Sequence, residues 1–107
     1  SNPFGGMKLL TATEAGREAI VKFKGRALGA YVLAGPDAGT IEASIDGGQW
    51  KRVDLYHHYS RGLHYPRTVM FATDLKAGQH TARLRLSEKS NTKSKGTAAR
   101  ILQFTVN

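Results

Sequence analysis

The apolar residues of this chain recur at every second position almost throughout, and no stretch sustains the spacing of a helix. A period of two sends alternate side chains to opposite faces of an extended backbone, so each such run reads as a strand with one face to hide. Eight runs qualify, at residues 8–13, 17–24, 27–34, 40–46, 49–55, 68–74, 80–87 and 98–106. Turn chemistry separates them. Gly35-Pro36-Asp37-Ala38-Gly39 offers proline at a turn's second position and glycine where positive φ is wanted. Ile41, Ala43 and Ile45 alternate with polar residues, and Asp46-Gly47-Gly48 then gives a tight hairpin signal. Leu75-Lys76-Ala77-Gly78 is a further glycine-containing turn. Short strands, frequent turns and no crossover helices predict an all-β fold, a single antiparallel β-sandwich wound as an eight-stranded jelly roll. Residues 28–34 and 69–72 are apolar on both phases, which predicts strands covered on both faces or lying at a sheet junction.

A length of 107 residues suits one domain. Ser1-Asn2 reads as a cloning remnant, so residues 1–6 are set aside as a tail and the domain is placed at 7–107. No apolar run approaches the roughly 20 residues of a membrane helix, and no membrane partner is expected. Cysteine is absent, which removes disulfides, thiolate ligands and thiol nucleophiles, and leaves the compartment open. Sixteen Lys and Arg against eight Asp and Glu give a formal charge of +8, raising nucleic acid and acidic polymers as partners. Position tempers the total. Lys22 and Lys24 alternate with Val21 and Phe23, and Arg83 and Arg85 with Ala82, Leu84 and Leu86, as on the solvent faces of strands. Only Lys89, Lys93 and Lys95 cluster, in a Ser/Thr/Asn-rich connection expected to be flexible.

The connection at 56–67 reads YHHYSRGLHYPR and holds three tyrosines and three histidines. Asp54 and His57 have the D-x-x-H spacing by which some serine esterases supply acid and base. Acyl transfer also needs an activated serine and oxyanion donors, and no Gly-Asp-Ser or Gly-x-Ser-x-Gly motif exists here. No catalytic residue is therefore assigned. His57, His58 and His64 are close in sequence, but adjacent histidines on an extended segment point apart and Asp54 is the only nearby carboxylate. Asp37, Asp46 and Asp74 are spread over three turns, which argues against a Ca²⁺ site. Neither metal nor cofactor is expected. Stacking of sugar rings on aromatics, with hydroxyls held by polar groups, fits the residue types better. The candidate ligand or interdomain surface is Trp50, Tyr56, His57, His58, Tyr59, Arg61, His64 and Tyr65, with Trp50 in phase with Arg52 and Asp54 and so directed outward. Packing of the tyrosines against another domain explains the same residues. Nucleic-acid binding is disfavoured, because the loop aromatics neighbour only Arg61 and Arg67 and no recognition motif is legible.

The run Gly29-Ala30-Tyr31-Val32-Leu33-Ala34-Gly35-Pro36-Asp37-Ala38-Gly39 resembles a signature in the sandwich domain attached to certain bacterial SGNH/GDSL-type hydrolases. Later blocks are similar too, in order: Ser44-Ile45-Asp46-Gly47-Gly48, Ser60-Arg61-Gly62-Leu63-His64-Tyr65-Pro66, Asp74-Leu75-Lys76-Ala77-Gly78-Gln79-His80, Leu84-Arg85-Leu86-Ser87-Glu88-Lys89 and Arg100-Ile101-Leu102-Gln103-Phe104. The resemblance implies an accessory module, C-terminal to an esterase domain of the GDSL-like lipase/acylhydrolase kind, in an exported bacterial enzyme that deacylates carbohydrates. It implies the SGNH domain of the parent chain as partner, with a glycan as a second contact. The family's nucleophile and Asp-x-x-His pair belong to that other domain, and Asp54 and His57 do not inherit them. A free-standing carbohydrate-binding module is the alternative, followed by binding of nucleic acid or another anionic polymer through the basic surface.

Overall fold

The structure, a computed structural model, describes residues 10–12, 16–56, 65–89, 91 and 93–107, with 10–12 and 65 described by their backbone. All regular structure among them is β. The strands are β1 (Leu10–Ala12), β2 (Glu18–Lys24), β3 (Leu28–Ala34), β4 (Thr40–Ile45), β5 (Lys51–Asp54), β6 (Tyr65–Ala72), β7 (Gln79–Leu86) and β8 (Ala99–Val106). They form two four-stranded antiparallel sheets, ordered β1-β8-β3-β6 in front and β2-β7-β4-β5 behind. The sandwich read from the period-two pattern is the observed fold.

The inner faces are apolar as the alternation requires. Leu28, Ala30, Val32, Val69, Phe71, Ile101 and Phe104 of the front sheet meet Val21, Phe23, Ile41, Ala43, Ala82, Leu84 and Leu86 of the back sheet, all buried. Each large aliphatic removed from water here contributes about 1.5–3 kcal/mol. Ile101 and Phe104 both face inward although three residues apart, and a register shift opposite Tyr31/Val32 accommodates the extra residue.

Three expectations shift. The sixth strand begins at Tyr65, not residue 68, with Pro66 opposite Leu33. Proline cannot donate to a ladder, but β6 is an edge strand, where the missing donor goes unused. Among the described residues nothing fully covers the second apolar phase of β3 and β6: Tyr31 is 39% exposed and Met70 45%, while Leu33 is half-buried. The connection after β7, expected to be flexible, is tied down where it is described. Lys95 and Ala98 donate backbone hydrogen bonds to Pro36 and Asp37, and the Ser94 hydroxyl donates to the Ala38 carbonyl at 2.7 Å. Arg100 completes the clamp with a bidentate pair to Asp37, both contacts at 2.8 Å.

The hairpin signal after β4 holds. Asp46 and Gly47 have φ of 52° and 76°, the positive pair a primed turn requires, and Gly48 donates to the Ile45 carbonyl. Gly39 is needed for a different reason from the one expected. A Cβ there would lie 2.4 Å from the Thr97 carbonyl oxygen, because the 35–39 turn presses against the backbone before β8. Gly39→Ala must therefore move backbone, and the expected loss is at or above the upper end of the 1–3 kcal/mol typical of overpacking, roughly 3 kcal/mol. Gly47→Ala meets open space and carries only the positive-φ cost, about 1 kcal/mol. Urea unfolding midpoints of the two variants test the order.

Candidate functional site

Register places a row of alternating charge across the outer face of the back sheet. Glu18 of β2 lies opposite Arg85 of β7, Arg85 opposite Glu42 of β4, and Glu42 opposite Arg52 of β5. The side chains use that order. The Arg85 Nε donates to Glu42 at 3.0 Å, Arg52 lies 3.9 Å from the same carboxylate, and Arg83 donates to Glu18 at 2.8 Å. Such exposed pairs contribute at most about 1 kcal/mol each, so they fix side-chain placement more than stability.

Trp50 sits just before β5, half-buried, against this lattice. The Arg85 guanidinium carbon is 3.8 Å from its ring centroid and that of Arg83 is 5.4 Å away. The outward phase expected for Trp50 fits this position, but its ring is not a bare platform: Arg85 covers one face. Sequence reasoning missed this partnership, although the alternation of Arg83 and Arg85 on one strand face was its available sign.

Tyr56 is a correction. Its ring is 6% exposed and belongs to the core between Leu55 and the inner faces, so it is packing and not loop surface. Asp54 holds the chain turn at this point. Its Oδ1 accepts from the Tyr56 backbone N–H at 2.9 Å and its Oδ2 from the Asn91 amide at 3.0 Å, so both oxygens serve structure. Arg67 closes the two ends of the connection by donating to the Leu55 and Tyr56 carbonyls. Tyr65 opens β6, paired with Ala34. His57, His58, Tyr59, Arg61 and His64 lie outside the described residues. No group of three or more His, Asp or Glu among the described residues is arranged to hold a metal.

A second cluster escaped the sequence reading altogether. Phe23 and His80 are cross-strand partners on β2 and β7, their rings 5.4 Å apart. The His80 Nδ1 donates to Asp46 at 2.5 Å and the Nε2 to the Lys76 carbonyl at 2.6 Å. A carbonyl and a carboxylate accept, so the doubly protonated ring is the form that satisfies both contacts. The same Asp46 also accepts from the Thr81 N–H. The His80 pKa is raised by the Asp46 hydrogen bond, then by Lys76, and that of Asp46 is lowered by His80 first and Thr81 second. Beside them is a depression of about 560 Å³ lined by Lys22, Phe23, Lys24, Gln79, His80 and Thr81.

The linkage has a definite sign. His80, raised above its ordinary 6.5, stabilises fully below that pH and loses its contribution as pH rises through its folded value. Asp46, lowered below 3.8, contributes above that pH and loses its share as pH falls through its folded value. Between about pH 4 and 6.5 both are present. Melting temperature should therefore fall from pH 6 to pH 9 by more in the native chain than in His80→Gln, and equal slopes would remove the imidazolium.

No family model and no curated protein sequence matches the chain. Solved structures do. The fold is similar to part of a two-domain esterase active on acetylated mannans, co-crystallised with mannopentaose (TM-score 0.67, 13% identity, 88% of this chain and 26% of that one). It is also similar to part of a family two carbohydrate esterase from Cellvibrio japonicus (TM-score 0.65, 18% identity, 92% and 26%). A third likeness is to a family two carbohydrate esterase from Clostridium thermocellum in complex with cellohexaose (TM-score 0.61, 16% identity, 91% and 26%). The chain spans about a quarter of the length of those esterases, and what it shares with them is the sandwich fold.

Proposed function

We propose that this chain is a non-catalytic accessory module of an exported SGNH-type carbohydrate esterase, packed against the catalytic domain and contacting its glycan. The observation that carries the reading is the set of apolar side chains left exposed on the outer face of the front sheet. Tyr31 and Met70 are exposed there, beside Leu33 and Pro66, and apolar side chains that no described residue covers are the kind of surface a partner buries. The fold likeness supports a parent of this kind, since the matched esterases devote about a quarter of their length to such a sandwich. The strand order supports reading the winding as a jelly roll.

A free-standing carbohydrate-binding module is the second reading. Trp50 favours it, as a half-buried indole on an outer sheet face ringed by hydrogen-bonding arginines.

Two measurements separate these. The isolated chain should show no turnover of p-nitrophenyl acetate above buffer; measurable turnover would end the non-catalytic reading. Hydroxyl-radical labelling of Tyr31 and Met70 should be about fivefold or more slower in the whole polypeptide that carries the module than in the isolated chain, as expected when exposed side chains enter an interface core. Equal labelling rates would leave the free-standing module as the better account.

A further inference from the structure

We infer that the depression between β2 and β7 is a binding site for a carboxylate-bearing polysaccharide, an inference that rests on the reading of the chain as a glycan-contacting module. The cross-strand pairs Lys22–Thr81, Phe23–His80 and Lys24–Gln79 supply all six lining residues. Its volume of about 560 Å³ falls within the range of small-ligand sites.

Its charge is what sets it apart from the rest of the back sheet. Along the neighbouring row, Arg83 is paired with Glu18 and Arg85 with Glu42. Lys22 and Lys24 make no ion pair with any described residue. Asp46, the carboxylate beside the site, is already engaged by His80 and the Thr81 N–H. His80 is committed to Asp46 and the Lys76 carbonyl and packs against Phe23, so its ring offers a ligand no free acceptor. Lys22 and Lys24 share the outer face of β2 with Thr81 and Gln79 opposite them on β7, so two ammoniums free of described ion pairs flank hydroxyl and amide groups and attract an anion there.

The polar remainder selects the class of anion. The Gln79 amide and Thr81 hydroxyl can both donate and accept, which suits the vicinal hydroxyls of a sugar ring next to its carboxylate. Single-stranded nucleic acid would need open aromatic faces along a basic groove. The one aromatic ring lining the depression besides His80, Phe23, is 6% exposed, so stacked bases find no open face there.

The test is affinity electrophoresis of the purified chain through gels holding polygalacturonate, neutral mannan or single-stranded DNA. Polygalacturonate should retard the chain, and the double variant Lys22→Ala/Lys24→Ala should bind it about tenfold more weakly or worse, as loss of charge-assisted hydrogen bonds implies. The control Lys89→Ala/Lys93→Ala removes the same charge elsewhere and should change affinity less than about twofold. All four lysines are exposed, and matching melting temperatures would show that each variant is folded. Equal losses in the two double variants would overturn the site in favour of diffuse charge, and tighter binding of DNA through Lys22 and Lys24 would overturn the ligand class. Retardation by mannan alone would overturn the inference and leave the glycan-contacting module standing. No retardation by either polysaccharide would overturn both.

Discussion

The apolar layer between the two sheets is the constraint on which every other feature of this molecule depends. Each strand offers one face to that layer, so its opposite face is fixed in composition and position at the same moment. Val21 and Phe23 turned inward leave Lys22 and Lys24 outward, and Leu84 and Leu86 turned inward leave Arg83 and Arg85 outward. A slip of one residue would bury those cations, which cannot be matched in an apolar core. The charged rows are thus consequences of packing, and they acquire chemistry only through what register sets beside them.

The two outer faces have different characters for that reason. The front sheet ends its exposed phase in Tyr31 and Met70 and leaves an apolar surface. The back sheet spends its acidic residues on Arg83, Arg85 and Arg52, and leaves Lys22 and Lys24 without an ion pair to any described residue, next to the exposed Ile20 on the same strand. One face suits a protein neighbour and the other an anionic ligand. The sandwich keeps the two apart, so both could act in one parent chain.

What was legible in the sequence was local. Alternation disclosed the strands, and Asp46-Gly47-Gly48 disclosed its turn, because both depend on residues a few positions apart. What escaped depends on sheet order. Pro66 is admissible in a strand only because β6 is an edge. Tyr56 is buried at a chain turn whose N–H Asp54 holds, and the basic connection is tied where it is described because its backbone donates to Pro36 and Asp37 in the distant 35–39 turn. The covering of Trp50 by Arg85 and the charged state of His80 likewise rest on pairs brought together across the sheet or between turns, and no spacing announces them.

The central claim is that the front face, and not the back, meets the catalytic domain of a parent enzyme. Amide chemical-shift mapping of the isolated chain against the same module within the whole polypeptide tests it most directly. The account predicts shifts concentrated at Tyr31, Leu33, Thr68 and Met70, with Lys22, Lys24 and Thr81 unmoved. Shifts confined to the back sheet, or none on either face, would contradict it.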